Sequence, residues 1–276
     1  MIVVKVGGGA GVDLDAVCRD VAALIARGDS VVLVHGTSDA ANLLAERLGV
    51  PARTITSPSG YVSRYTDPAT LEVYTMAAVG VVNVGLVGRL QVLGVNAVGL
   101  NGLDGQLMRA TRKDAVRAID PESGRQRIIR DDYTGKIEAV NGGLLHLLLK
   151  AGYTPVVAPL AMGAAFERLN VDGDRAAAYV AGAIGAQTLV ILTNVPGLLA
   201  NFPDEASIIR HIPADDVERA IEIAGGRMKK KVLAAQEALG MGVRHVILAD
   251  SRRMTPLRDA LSGAGTHIGS IDPASS

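Results

Sequence analysis

Cysteine, tryptophan and net charge are the first things this sequence lacks. One cysteine, Cys18, stands in 276 residues, so no internal disulfide can form and a reducing compartment is expected. There is no tryptophan, and six tyrosines with two phenylalanines supply all the rings, too few for a stacking platform on bases or sugars. Lys plus Arg number 28 and Asp plus Glu number 28; a chain of zero formal charge is not a general nucleic-acid binder, which needs a basic excess. The most apolar stretch, Met76 to Gly88, is interrupted by Asn83; it falls short of the roughly 20 residues a bilayer requires and reads as a buried helix. The opening residues MIVVKV place Lys5 inside a very short apolar run, unlike a signal peptide. The cytoplasm is therefore the expected location. Five scattered histidines and one cysteine give no zinc spacing. Disorder is excluded by the 49% hydrophobic content.

What is abundant is glycine. Its 32 residues make roughly 12% of the chain against a usual figure of about 7%. Around them, short β-branched runs alternate with helical patterns. Strands are expected at Ile2 to Val6, Val31 to Val34, Ala97 to Leu100, Pro155 to Ala158, Thr188 to Thr193 and His245 to Leu248. Helices are expected at Asp15 to Arg27, Asp39 to Leu48, Pro68 to Leu93, Ile137 to Ala151, Asp174 to Ile184, Asp215 to Ala224, Arg227 to Leu239 and Pro256 to Leu261. Between Ala115 and Arg130 two extended segments flank Asp-Pro-Glu-Ser-Gly, which predicts a β-hairpin. Near-continuous apolar strands separated by helices imply an α/β fold: a three-layer αβα sandwich around a mainly parallel open sheet. The chain reads as one domain, with an N-lobe to about residue 160 and a C-lobe after it, joined within Gly152 to Gly173.

In an open α/β sheet, ligands sit beyond the carboxyl ends of the strands. Two glycine loops occupy such positions, Gly7-Gly8-Gly9-Ala10-Gly11 and His35-Gly36-Thr37-Ser38. Both lead into helices, so their N–H groups can cradle an anion, or the glycines can simply make tight turns. Neither is a standard nucleotide fingerprint: Val12 stands where a dinucleotide motif needs Gly, and Gly135-Lys136 has no upstream glycine partner. Lys5, in an apolar strand two residues before the glycines, either snorkels to water or meets an anion. A second cationic position is Lys229-Lys230-Lys231 after Gly225-Gly226. Together, two lysines and two glycine loops describe a phosphoryl-transfer site that works by electrostatic clamping. Arg64 can hold a carboxylate through its planar fork or be a surface residue at the start of a helix. Asn170 can hydrogen-bond a substrate. Asp174 can anchor the lysines or serve only as a helix N-cap.

This constellation resembles the amino acid kinase family, and within it the acetylglutamate kinase branch, over Ile2 to Ile268. The carriers are Val4-Lys5-Val6-Gly7-Gly8, Val34-His35-Gly36, Arg64 with Thr66-Asp67, Leu169-Asn170 through Asp174, Leu192 through Leu199 and Gly226-Arg227-Met228-Lys229-Lys230-Lys231-Val232. Finer details are similar to the kinases that act on aminoadipate or glutamate attached to the amino-group carrier protein LysW: Val62 through Asp67, Gly102-Leu103-Asp104-Gly105, Asp132-Tyr133-Thr134-Gly135 and Asp172-Gly173-Asp174. The resemblance implies transfer of the ATP γ-phosphoryl group to a side-chain carboxylate, with Mg2+ held mainly by phosphates and water. It assigns Lys5 and Lys231 to the transferring phosphoryl and Asp174 to organising them. His35, Gly36, Thr37, Arg64 and Asn170 would bind substrate. Gly7, Gly8, Thr193, Asn194, Gly197, Phe202 and Lys229 would face phosphate or nucleotide. Choosing Lys231 among the three adjacent lysines rests on alignment with Val232. The chain starts at its first strand, without the N-terminal helix of arginine-sensitive relatives, so arginine inhibition through that element is not expected. Free N-acetylglutamate kinase is the alternative activity, and a non-catalytic ligand-binding member of the fold a further one.

A carrier-linked substrate implies a docking surface. From Arg109 to Arg130 seven basic residues stand against three acidic ones, Asp114, Asp120 and Glu122. Such a hairpin, with Arg125 and Arg127 at its centre, can steer an acidic carrier or be a solvated face. A homodimer paired through the long helix is expected.

Overall fold

A computed structural model describes residues 1–270 apart from 10, 59, 61 and 120–123. In chain order the elements are β1 (Ile2–Val6), α1 (Leu14–Ala26), β2 (Val31–His35), α2 (Ser38–Arg47), β3 (Thr54–Thr56), β4 (Val62–Arg64), α3 (Pro68–Thr75), a π-helical stretch (Met76–Asn83), α4 (Val84–Val92) and β5 (Ala97–Asn101). There follow β6 (Met108–Arg112), β7 (Val116–Ile119), β8 (Gln126–Ile129), β9 (Gly135–Val140), α5 (Gly142–Lys150), β10 (Thr154–Ala158), β11 (Leu160–Met162), β12 (Arg168–Asn170) and α6 (Gly173–Ala183). The C-terminal part holds β13 (Thr188–Thr193), β14 (His211–Ile212), α7 (Val217–Ile223), α8 (Gly226–Gly240), β15 (His245–Asp250), α9 (Pro256–Leu261) and β16 (Thr266–Gly269).

The central sheet has eight strands in the order β14-β16-β15-β13-β1-β2-β10-β5. All its pairs are parallel except β15 with β16. β2 is buried along its whole length and β1 nearly so, because apolar side chains of both alternations find helices to cover them. One face packs α6 and α8 through Ala177, Val180, Val232 and Ala235. The other packs α1, α4 and α9 through Val17, Val21, Leu86, Leu90 and Leu257. These are the expected three layers. Buried Asp20 of α1 accepts hydrogen bonds from Leu257 N at 2.8 Å and Arg258 N at 3.1 Å, capping α9 and tying the layer together.

Two four-stranded sheets, β12-β11-β6-β9 and β4-β3-β7-β8, were not expected in this form. Several of their strands have only three residues, too few to show a period. The helix expected over Ile137 to Ala151 is also corrected. Ile137 is buried and Glu138 exposed, an alternation that suits β9 paired with β6, and the helix starts only at α5. Asn141 makes that break, its side chain accepting from Leu144 N. The expected hairpin is present as antiparallel β7 and β8; its turn residues Asp120, Pro121, Glu122 and Ser123 lie outside the described residues.

The long helix is one run of 25 residues, Pro68–Val92, and an 18-residue window within it reaches a mean hydropathy of 1.6. At full length it is long and apolar enough to cross a membrane, which the shorter stretch Met76 to Gly88 is not. It buries Leu71, Tyr74, Ala77, Ala78, Leu86 and Leu90 within the fold. Its outer side leaves Met76, Val81, Val84 and Val92 exposed.

Candidate functional site

The site grows from the carboxyl ends of β1 and β2. Gly36 N donates to Val6 O at 2.8 Å and Asp39 N to Gly8 O at 2.7 Å, so the two glycine loops are laced backbone to backbone. The approach is too close for any side chain. A Cβ on Gly8 would lie 2.2 Å from Thr37 N, and one on Gly36 would lie 2.4 Å from Gly8 N. That contact, more than turn conformation, explains the glycines. Thr37 fits at the start of α2 with an ordinary φ of −135°, and its N–H has no hydrogen-bond partner among the described residues.

Lys5 reaches from β1 to Asp174, its Nζ 2.6 Å from Oδ1. Lys231 comes from α8, its Nζ donating to Asp174 Oδ2 at 2.9 Å. All three side chains are at most 12% exposed. Burial alone would raise the Asp174 carboxyl, yet the charges of Lys5 and Lys231 and their hydrogen bonds outweigh it and hold it well below the usual carboxylate range. Lys231 is lowered as well: burial lowers it, Asp174 offsets part of this, and Lys5 lowers it further. Two ammonium groups share one carboxylate, which leaves a net positive charge near the second glycine loop, where Lys5 Cε and His35 O both border Gly173. Asp174 is free for this because Asp172 is the helix cap, accepting from Asp174 N at 2.9 Å and Arg175 N at 3.1 Å. The capping alternative for Asp174 is thus set aside. Arg175 forms a forked pair with Glu237 that fastens α6 to α8, and so fixes the helix carrying Lys231.

The lysine triplet is resolved by helical geometry. Lys231 faces Asp174, Lys230 donates to Val62 O at 3.1 Å, and Lys229 is exposed in the first turn of α8. Thr193 ends β13 next to β1, and its carbonyl accepts from Ser251 N at 2.7 Å. Gly197 lies against Thr266, whose Oγ1 would be 2.5 Å from an added Cβ. Asn194 is exposed on the same loop. Phe202 stands further along it, 79% exposed.

Arg64 and Asn170 form a second cluster. Arg64 Nη2 donates to Asn42 Oδ1 at 2.5 Å and to Ser38 O at 3.4 Å, which places it over the first turns of α2; burial lowers its pKa. Asn170 Nδ2 donates to Thr66 Oγ1 at 3.1 Å. Behind both lies a carboxylate with no assigned role at the sequence level, Asp132, only 2% exposed. It accepts from Thr66 N at 2.9 Å and from Thr134 Oγ1. Asp132 gave no separate signal beyond its place in the Asp-Tyr-Thr-Gly stretch.

His35 is wholly buried behind the second glycine loop. Burial pushes it down to about 4, helped by the Lys5 charge and opposed by its hydrogen bond to the Gly36 backbone. Arg125 and Arg127 are exposed, Arg127 on edge strand β8 and Arg125 just before it. Arg112, one of the seven basic residues of this stretch, is engaged within the fold: its Nε donates to Asp132 O at 2.9 Å, its Nη2 to Arg130 O at 2.8 Å, and it stacks on the Tyr133 ring.

Comparison with known proteins places this geometry. A [LysW]-aminoadipate kinase of Deinococcus radiodurans is 54% identical over 97% of this chain and 91% of its own length. A protein of the same name from Thermus thermophilus is 50% identical over 97% of this chain and all of its own length. The fold is shared with carbamate kinase from Giardia lamblia, TM-score 0.68 at 16% identity, covering 97% of both chains. Residues 1–250 match the family description directly: with its lysine pair bridged by Asp174 beneath two interlocked glycine loops, the chain belongs to the amino acid kinase family.

Proposed function

We propose that this protein is an ATP-dependent kinase phosphorylating the side-chain carboxylate of aminoadipate carried on LysW, a step of lysine biosynthesis that also accommodates glutamate in arginine biosynthesis. The observation that carries the reading is the buried triad Lys5, Asp174 and Lys231 in a chain half identical to kinases of that name. A carboxylate oxygen of the acceptor attacks the γ-phosphorus, the bond to the β–γ bridging oxygen breaks, and ADP leaves. The acceptor carboxylate is already ionised near pH 7, its ordinary pKa being about 4, so no general base is required. Buried, neutral His35 agrees with that.

Lys5 and Lys231 stabilise the charge spread over the transferring phosphoryl group. Asp174 keeps both ammonium groups aimed inward while leaving a net positive charge for the phosphates. N–H groups at Gly8 and Thr37 complete the cradle. Arg64 and Asn170 hold the amino-acid part on the N-lobe side; Thr193, Asn194, Gly197, Phe202 and Lys229 belong to the nucleotide side on the C-lobe. Mg2+ arrives with ATP. Among the described residues no group of three or more His, Cys, Asp or Glu could hold a metal ion, and Asp174 is committed to two lysines. Carried by phosphates and water, the ion would add charge neutralisation.

Exposed Arg125 and Arg127 on the β7–β8 hairpin give an acidic carrier a place to dock. The apolar outer side of the long helix, with Val81, Val84 and Val92 exposed, pairs two copies into a homodimer, and the enzyme is cytoplasmic. The activity is tested by measuring acceptor-dependent ADP release with LysW-aminoadipate, LysW-glutamate and N-acetylglutamate. The reading predicts turnover with the carrier-linked acceptors and little with the acetylated one; ADP release with none of them would sink it.

A further inference from the structure

Asn83 is the one polar residue inside the most apolar stretch of the chain, and it is 4% exposed. It ends the π-helical stretch Met76–Asn83. Widened turns of this kind recur where a helix must turn a particular side chain toward a site. Here the side chain is turned into the sheet: Asn83 Nδ2 donates to Val156 O at 2.9 Å and lies 3.2 Å from His35 Nε2. Room for it comes from Gly99, where an added Cβ would sit 2.1 Å from Asn83 Oδ1.

The hydrogen-bond directions follow from chemistry. An amide NH2 only donates, so His35 Nε2 accepts and carries no proton. The ring is neutral, as its burial requires, and its proton is therefore on Nδ1, 3.2 Å from Gly36 O. Nδ1–H donates to that carbonyl. Gly36 C=O and Thr37 N–H belong to one planar trans peptide and point in opposite directions. Holding the carbonyl on the His35 side turns the Thr37 N–H the other way, where it meets no hydrogen-bond partner among the described residues, while Gly8 packs over the face of the same peptide.

We propose that Asn83 is a positioning residue which, through the Nδ1–H tautomer of His35, locks the Gly36–Thr37 peptide so that the Thr37 N–H faces the transferring phosphoryl group. The proposal rests on the kinase reading above and adds what aims one of its donors. It also gives the π-helical stretch a purpose: a polar reach from a buried helix to the back of the glycine loop. A flipped peptide would put a carbonyl oxygen where an anion must sit, so the orientation matters to rate more than to nucleotide affinity.

The test combines spectroscopy of the wild type with two variants and their double. Long-range proton–nitrogen spectra of the imidazoles between pH 6 and 8 should show His35 neutral with its proton on Nδ1. An Nε2–H tautomer or an imidazolium would overturn the proposal, independently of any activity. Asn83→Leu and His35→Phe should each lower kcat roughly 10- to 100-fold, somewhat less than the loss of an oxyanion donor outright, with KM for ATP changed less than about threefold. Because the two residues act as one unit, the double variant should lose no more than His35→Phe alone. A folded Asn83→Leu with kcat within about twofold of wild type, or losses that multiply in the double variant, would contradict it. Should the variants fail to fold, the wild-type tautomer still decides. Failure of the kinase reading would look different: wild type inactive on every acceptor.

Discussion

Replacing Asp174 by Asn removes the charge that two buried ammonium groups share while keeping the side chain's size. At 2.6 and 2.9 Å, each ion pair is worth about 6 kcal/mol of attraction at an effective dielectric constant near 20. Desolvation of several kcal/mol per ion cancels much of that. What the substitution exposes is the penalty for leaving buried charges unpaired, about 3–5 kcal/mol. For a chain of this length that lowers Tm by roughly 10 °C. Urea unfolding at pH 7 and calorimetry are the assays. The lysines then lack an anchor, so kcat should fall by at least about 100-fold. Yet ATP and inorganic pyrophosphate should bind at least as tightly as to wild type, since a carboxylate no longer competes for the ammonium groups, and should restore stability more strongly than in wild type. A stability loss below about 1 kcal/mol, or weaker polyphosphate binding, would refute the reasoning. The anchor also fixes a pH dependence. The folded carboxyl lies below its unfolded value, so its contribution is present above about pH 4 and is lost as pH falls through the folded pKa.

The buried His35, held at about 4 against an ordinary 6.5, remains neutral where the unfolded chain takes up a proton; stability should fall by up to about 3 kcal/mol from pH 6.5 to 4, and His35→Phe should flatten that slope in denaturant titrations. Gly8→Ala and Gly36→Ala force a Cβ within 2.4 Å of backbone, so soluble yield and activity should collapse in both, while Gly9→Ala, which meets nothing within 4 Å, should fold normally. Asp132→Ala removes the acceptor that holds Thr66 and Thr134 and should raise KM for the carboxylate acceptor about tenfold, with Asp132→Asn milder and KM for ATP little changed; parallel rises in both constants would contradict the substrate-side placement. Charge reversal at Arg125 and Arg127 should weaken apparent affinity for carrier-linked substrate at low salt and much less at high salt, and unchanged affinity at low salt would remove the docking face.

Much of the site could be read from residue order, because a lysine in an apolar strand and glycines at strand ends are local signals. Asp174 was legible as a candidate, but its choice between capping and anchoring was not, since Asp172 and Asp174 differ only in where the first helical turn begins. Lys231 had the same difficulty: three adjacent lysines look alike until helical rotation sends one to Asp174 and another to Val62. Asn83 was visible only as an interruption, for nothing local says that a helix will widen to aim it at a histidine 48 positions away. In the fold, the long parallel strands were legible and the three-residue strands were not; β9 was hidden by the leucine-rich helix that follows it.

The central claim is transfer of phosphate to a carboxylate on a carried amino acid. It is tested most directly by incubating the protein with ATP, Mg2+, hydroxylamine and LysW-aminoadipate, then locating the hydroxamate on the carrier by mass spectrometry. The account predicts an ATP-dependent hydroxamate at the side-chain carboxyl of the aminoadipate, lost in Lys5→Met and Lys231→Met. ATP consumed without a hydroxamate, or a hydroxamate formed equally well by those variants, would contradict it.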